Sequence, residues 1–220
     1  MGYDFELKFT GEEYAGGFSN GLTLSGSGTR QGFELVEEKN TEMEQVSLFR
    51  NEAGVEVELH VGKKGECEEV YTVVKNKSRE EVTMELLSSL VLRGVVADKI
   101  HRLQSFWSAE GKLRSESILD LHMEPSWNRC GMRVEKFGNT GSMPVRKYFP
   151  FLALEDTVHK KVVGIQLYLA SSWQMEILCK EDDSLTVSCG IADRDFGHWL
   201  KRLKSGEEFV SPKEIGRAHV

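Results

Sequence analysis

Where this sequence has a pattern, the pattern repeats every two residues. Val55, Val57, Leu59 and Val61 alternate with Glu56, Glu58 and His60, which puts apolar groups on one face of an extended chain and polar groups on the other. The same alternation returns at Ile165, Leu167 and Leu169, at Trp173, Met175, Ile177 and Cys179, and at Leu185, Val187, Cys189 and Ile191. These last three runs predict a meander of antiparallel strands. Glu81 to Val96 also alternates, although its Glu and Leu content suits a helix; its β-branched residues and the Ser88-Ser89 pair favour a strand. Glu34 to Phe49 is acidic and fits neither period. With 21 glycines and 4 prolines placed largely between short apolar stretches, the chain predicts many short strands joined by turns. The expected fold class is all-β, a sandwich or barrel with few or no long helices.

Composition narrows the function. A chain of 220 residues can bury a core without disulfide or metal staples. Its 28 Lys and Arg against 35 Asp and Glu leave a net charge of −7, the wrong sign for a nucleic-acid surface. No run of 18 apolar residues is present to span a membrane as a helix. The first residues lack the basic-then-apolar layout of a signal peptide. The four cysteines, Cys67, Cys130, Cys179 and Cys189, show no C-x-x-C spacing and read as reduced, buried thiols. A cytoplasmic protein is the expectation.

Several segments invite a catalytic reading. Asp193, Arg194, Asp195, His198 and Trp199 fall within seven positions, and two carboxylates can divide acid and base work if their surroundings separate their pKa values. A loop with an Asx-type turn is the sufficient account and the preferred one. If Phe196–Leu203 is a strand, Trp199 and His198 take opposite faces, one in the core. Glu155 and Asp156 read as a turn after a buried strand. The histidines at 60, 101, 122, 159, 198 and 219 show no ligand spacing, so no metal site is assigned. Gly26-Ser27-Gly28 reads as a turn, because neither phosphate-loop pattern is present. Most of Trp107, Trp127, Trp173 and Trp199 are expected in the core. No catalytic, cofactor-binding or metal-binding residue is assigned, and no cofactor is expected.

Beyond alternation, five blocks stand out: His101–Gly111 (HRLQSFWSAEG), Phe149–Asp156 (FPFLALED), Ser172–Glu176 (SWQME), Cys189–Trp199 (CGIADRDFGHW) and Leu203–Pro212 (LKSGEEFVSP). In this order and spacing they resemble the N-terminal domain of glycoside hydrolase family 36, the α-galactosidase family. The resemblance implies a galactose-mutarotase-like β-supersandwich that precedes a catalytic (β/α)₈ barrel. It also implies a parent activity, hydrolysis of terminal α-galactosides with retention, carried out by two aspartates on that barrel. A barrel takes about 250 residues, so this chain is expected to be non-catalytic. Its implied partners are the barrel, other subunits of a homo-oligomer, and an α-galactoside near the domain. Gly26-Ser27-Gly28-Thr29-Arg30 lacks the Asp of the family's substrate-contacting turn, so no binding residue is carried over.

Glu214–Val220 resembles a translated sequencing adapter, so the sandwich is expected over 1–213 with a non-native tail over 214–220. A face left without its barrel should make the chain self-associate. Two other functions stay open: a free carbohydrate-binding sandwich using Trp107 or Trp199, and a mutarotase-like sugar enzyme, for which His101 with Glu176 is an available acid–base pair.

Overall fold

The computed structural model describes residues 1–12, 23–26, 28–123, 133–143, 145–179 and 184–219, the last four of these by backbone alone. Trp127, Cys130 and Ser27 lie outside these residues. In chain order the strands are β1 (Gly2–Asp4), β2 (Leu7–Phe9), β3 (Phe33–Asn40), β4 (Glu44–Asn51), β5 (Val55–Lys64) and β6 (Cys67–Asn76). Next come β7 (Val82–Val95), β8 (Lys99–Gln104), β9 (Lys112–Ser117), β10 (Arg133–Asn139), β11 (Tyr148–Asp156) and β12 (Lys161–Leu167). Then follow β13 (Trp173–Cys179), β14 (Leu185–Ile191), the single helical turn α1 (Arg194–Gly197), β15 (Lys201–Leu203), β16 (Glu208–Val210) and β17 (Glu214–His219).

Among the described residues every strand pairing is antiparallel, and the strands form two sheets. The smaller has seven strands along β1-β7-β14-β13-β10, with β2 and β15 also on β7. The larger has ten, running β3-β4-β5-β6-β17-β12-β11-β8-β9, with β16 on β6. The alternation read from the sequence decides which side chains meet between them. Leu59 of β5, Val70 of β6, Leu152 and Leu154 of β11 and Ile165 of β12 pack with Trp173, Met175, Ile177, Val187 and Cys189 of the smaller sheet, while Val55 and Val57 of β5 pack with Phe5, Leu7, Met84 and Leu87 in a second cluster. Two sheets stacked in this way bury one face of each, the general solution for antiparallel β structure.

Two sequence expectations are corrected. The last three alternating runs are not one meander. β13 and β14 form a hairpin in the smaller sheet, while β12 pairs with β11 and β17 in the larger. The Ser171-Ser172 segment carries the chain across, and period two says which face is buried without saying which sheet owns the strand. Likewise Phe196–Leu203 is not one strand. Asp193 caps α1, His198 ends it in the left-handed region at φ 57°, and pairing resumes only at Lys201.

Other irregularities have physical causes. β3 is an edge strand whose residues 34–40 are exposed on both faces, so nothing imposed an apolar period on it. β7 is buried on both faces over most of its length, so its apolar residues run on. β5 and β6 close on a Gly65-Glu66 turn in which Gly65 takes φ +66°, a conformation costly for other residues.

Residues 214–219, set apart in the sequence reading, occupy an interior place in the larger sheet. β17 pairs with β6 on one side and β12 on the other. Its first residue, Glu214, lies opposite Val70 and Leu167 and is fully buried, facing the inter-sheet core. Neither carboxylate oxygen has a partner of ordinary hydrogen-bond geometry. Burial pushes this carboxyl well above the usual carboxylate range, and the nearby Cys189 thiol offsets that only in part. The thiol is itself pushed up by burial and by Glu214.

Candidate functional site

The outward face of the smaller sheet carries the densest polar chemistry. Glu176 of β13 stands opposite Lys136 of β10 and Ser188 of β14. An outward sheet face normally meets water, yet Gln174, Glu176, Thr186 and Ser188 are all buried. The segment Thr23–Ser25 is buried as well, and the Thr23 hydroxyl donates to both Glu176 oxygens at 2.6 and 2.8 Å. Lys136 Nζ lies 2.7 Å from Glu176 Oε2 and 2.9 Å from Asp193 Oδ2. Burial alone would lower the Lys136 pKa, but the charges of Glu176 and Asp193 outweigh it and hold the ammonium protonated.

Asp193 is thereby accounted for. Its Oδ1 accepts from the Phe196 amide at 2.8 Å, the N-cap of α1, and its Oδ2 accepts from Gln174 Nε2 at 3.0 Å. Its own amide donates to Gln174 Oε1 at 2.9 Å. Asp195 is exposed and bonds its neighbour Arg194, whose Nη1 reaches the buried Glu85 at 2.7 Å. The two aspartates therefore do not converge on a common reacting atom. Asp193 is a cap inside an ion cluster, in agreement with the turn reading, and Asp195 lies at the surface.

A second cluster runs along the same face. Asp4 accepts from Arg30 Nε and Arg93 Nε, both at 2.7 Å, and Arg93 Nη2 reaches the buried Glu6 at 2.8 Å. Burial would raise the Asp4 pKa, but these guanidinium bonds hold it below the usual range. Gly26 donates its amide to Glu6 at 2.9 Å, so the glycine-rich segment is tied to the sheet. Arg102 sits between the sheets, reaching Glu135 at 2.5 Å and also Glu116, with the Phe137 and Tyr148 rings against its guanidinium.

The remaining sequence candidates are dispersed. His101 contacts Ser115 at 2.8 Å and Glu155 at 3.0 Å in the larger sheet, whereas Glu176 faces outward from the smaller, so the two do not form an acid–base pair. Asp156 ends β11 and accepts from the His159 amide at 3.0 Å where the turn begins, whereas Glu155, expected in that turn, is paired within β11 with Lys99 and Val162. Among the described residues no group of His, Cys, Asp and Glu has a metal-binding arrangement. Cys179 and Cys189 are buried and Cys67 is half-buried. Trp173 is fully buried, Trp199 is half-buried against Phe209, and Trp107 is 85% exposed, so the core expectation fails for Trp107.

Trp107 points to a feature the sequence reading missed. Beside it, at the tip of the β8–β9 hairpin, a cleft of about 560 Å³ opens between Gln104, Phe106, Ala109, Gly138, Asn139, Thr140, Arg146, Lys147 and Phe196. A run of exposed aromatics within the Phe106-Trp107 tip was the available signal, but exposure is not visible in a period-two pattern. A second cleft of similar size lies against β3 and β4, lined by residues that include Glu34, Leu35, Arg50 and Glu52.

Solved structures supply the comparison. The whole chain superposes on 27% of the family-36 α-galactosidase AgaA from Geobacillus stearothermophilus, solved with stachyose, at a TM-score of 0.69 and 16% identity. This is the fold of the N-terminal domain of a family-36 α-galactosidase. The α-galactosidase from Lactobacillus brevis matches in the same way, with 100% of this chain on 26% of that one, a TM-score of 0.65 and 15% identity. A galactose mutarotase related enzyme from Lactobacillus acidophilus shares the sandwich more distantly, at a TM-score of 0.51 and 14% identity over 98% of this chain and 78% of that one. The chain thus spans about a quarter of the α-galactosidases it resembles. No family model and no curated protein sequence matches it.

Proposed function

We propose that this chain is the non-catalytic N-terminal β-supersandwich of a retaining α-galactosidase, where it packs on a catalytic (β/α)₈ barrel and contributes to a homo-oligomer. The observation that carries this reading is the superposition of the entire chain on about a quarter of each enzyme. A retaining glycosidase needs two carboxyl groups about 5–5.5 Å apart across the scissile bond. Glu214, enclosed in the core without an ion partner, lines neither cleft, and the carboxylates of the polar clusters are bound to cations: Glu176 and Asp193 to Lys136, Asp4 and Glu6 to Arg93, Glu85 to Arg194. Such pairs stiffen a scaffold and commit these carboxylates to structural roles. In this reading the reacting aspartates belong to the barrel.

Sequencing the source locus beyond the Lys213 codon tests the proposal. An in-frame barrel coding region supports it. A stop codon with no barrel downstream contradicts it.

A further inference from the structure

We propose that the cleft at the tip of the β8–β9 hairpin is a binding site for a neutral oligosaccharide. Its volume of about 560 Å³ lies within the roughly 300–1,000 Å³ of ligand pockets. The hairpin tip is built to present aromatic rings. The Ala109 amide bonds the Phe106 carbonyl at 2.8 Å, Gly111 bonds Gln104 at 2.8 Å, and Ser108 takes a left-handed φ of 60°. This tight turn leaves Phe106 67% exposed with the exposed Trp107 beside it, two large apolar groups in water. Exposed aromatics of that kind mark recognition surfaces.

The opposite wall is also aromatic. The Phe196 ring lies so close to Gly138 that a Cβ there would stand 3.0 Å from its Cε1 and 2.1 Å from the Trp173 carbonyl oxygen. A bare backbone at 138 is what lets the ring lie against β10. The same cleft is lined by the amides of Gln104 and Asn139; the Asn139 amide nitrogen donates to the Met143 carbonyl, so Asn139 offers its oxygen as an acceptor and Gln104 both donors and an acceptor. Apolar ring faces alternating with paired donors and acceptors match a pyranose, which offers C–H faces and hydroxyl edges.

Other ligand classes fit less well. Lys147 Nζ already lies 5.1 Å over the Tyr148 ring, and a net charge of −7 repels polyanions. An apolar partner would leave the Gln104 amide and the Asn139 oxygen desolvated without a compensating hydrogen bond.

The choice of probe, though not the site itself, rests on the function proposed above. Isothermal titration and saturation-transfer NMR on the chain compare stachyose with maltotetraose. Wild type should bind stachyose, and Phe106→Ala should weaken binding at least tenfold with an unchanged circular dichroism spectrum. Leu200→Ala, an exposed change elsewhere, should leave it unaltered. Binding of maltotetraose alone supports the cleft and counts against the α-galactosidase reading. Binding of neither sugar, or binding that Phe106→Ala leaves intact, overturns the cleft.

Discussion

Lys136 Nζ lies 2.7 Å from the fully buried carboxylate of Glu176, its direct cross-strand neighbour. Two carboxylates share this one ammonium, since Asp193 meets it at 2.9 Å. Removing the cation leaves two negative charges under cover. Lys136→Met should therefore cost about 3–5 kcal/mol. Adding Glu176→Gln should recover part of that loss, because it removes one uncompensated charge. Urea unfolding of the three proteins checks the ranking; a Lys136→Met chain as stable as wild type would show that the cluster is solvated.

Asp193 and Asp195 are two positions apart and should differ sharply. Asp193→Ala removes the α1 cap, worth about 0.5–2 kcal/mol, together with its bonds to Gln174 and Lys136. Asp195→Ala changes an exposed side chain and should fall within about 0.5 kcal/mol of wild type. Equal effects would contradict the geometry described for the loop.

Glu214 gives the fold an inverted pH dependence. Its folded pKa is raised by burial, so its contribution is fully present below the ordinary carboxylate value of about 4.3. As pH rises above that value the unfolded chain gains by ionising while the folded carboxyl, its pKa raised by burial, keeps its proton to higher pH, and stability falls. Asp4 acts in the opposite sense: its lowered pKa adds stability above the usual range, which is lost as pH falls through the folded value. Thermal melts from pH 5 to 8 should show the decline in wild type and a flatter profile in Glu214→Gln, while Glu214→Leu should be the most stable of the three at pH 8. A wild type whose stability rises steadily to pH 8 would contradict this burial.

The hairpin tip and the neighbouring strand favour self-association. Phe106 and Trp107 are exposed, and β9 ends the ten-stranded sheet with residues 112–115 in solvent. Exposed apolar groups beside an open strand edge promote pairing between copies. Sedimentation velocity at tens of micromolar (an order-of-magnitude choice) should show association that Trp107→Ser reduces. A clean monomer would contradict it.

Much of this architecture is legible in the sequence, and the limits have physical causes. The alternation at Val55–Val61 and Trp173–Cys179 gave the correct inward faces, because a pleated strand with one face on a core has no other arrangement. It did not show that β12 and β13 belong to different sheets, since sheet membership depends on long-range pairing. In the sequence Glu176 alternates with Met175 and Ile177 and is an available partner for His101; only the fold brings Thr23 over it from 153 residues away and commits it to Lys136. Glu214 was set aside with the tail, yet it lies in the core opposite Cys189 because the larger sheet has a place for a strand between β6 and β12. The Asp193 turn was readable because capping is local.

Turnover by the purified chain tests the central claim most directly. With a chromogenic α-galactoside, and separately with freshly dissolved galactose followed by polarimetry, the rates should equal those of buffer alone. Hydrolysis or accelerated mutarotation that a single change at Asp193, Glu176 or His101 abolishes would show that these residues supply an acid and base, and would contradict the scaffold reading.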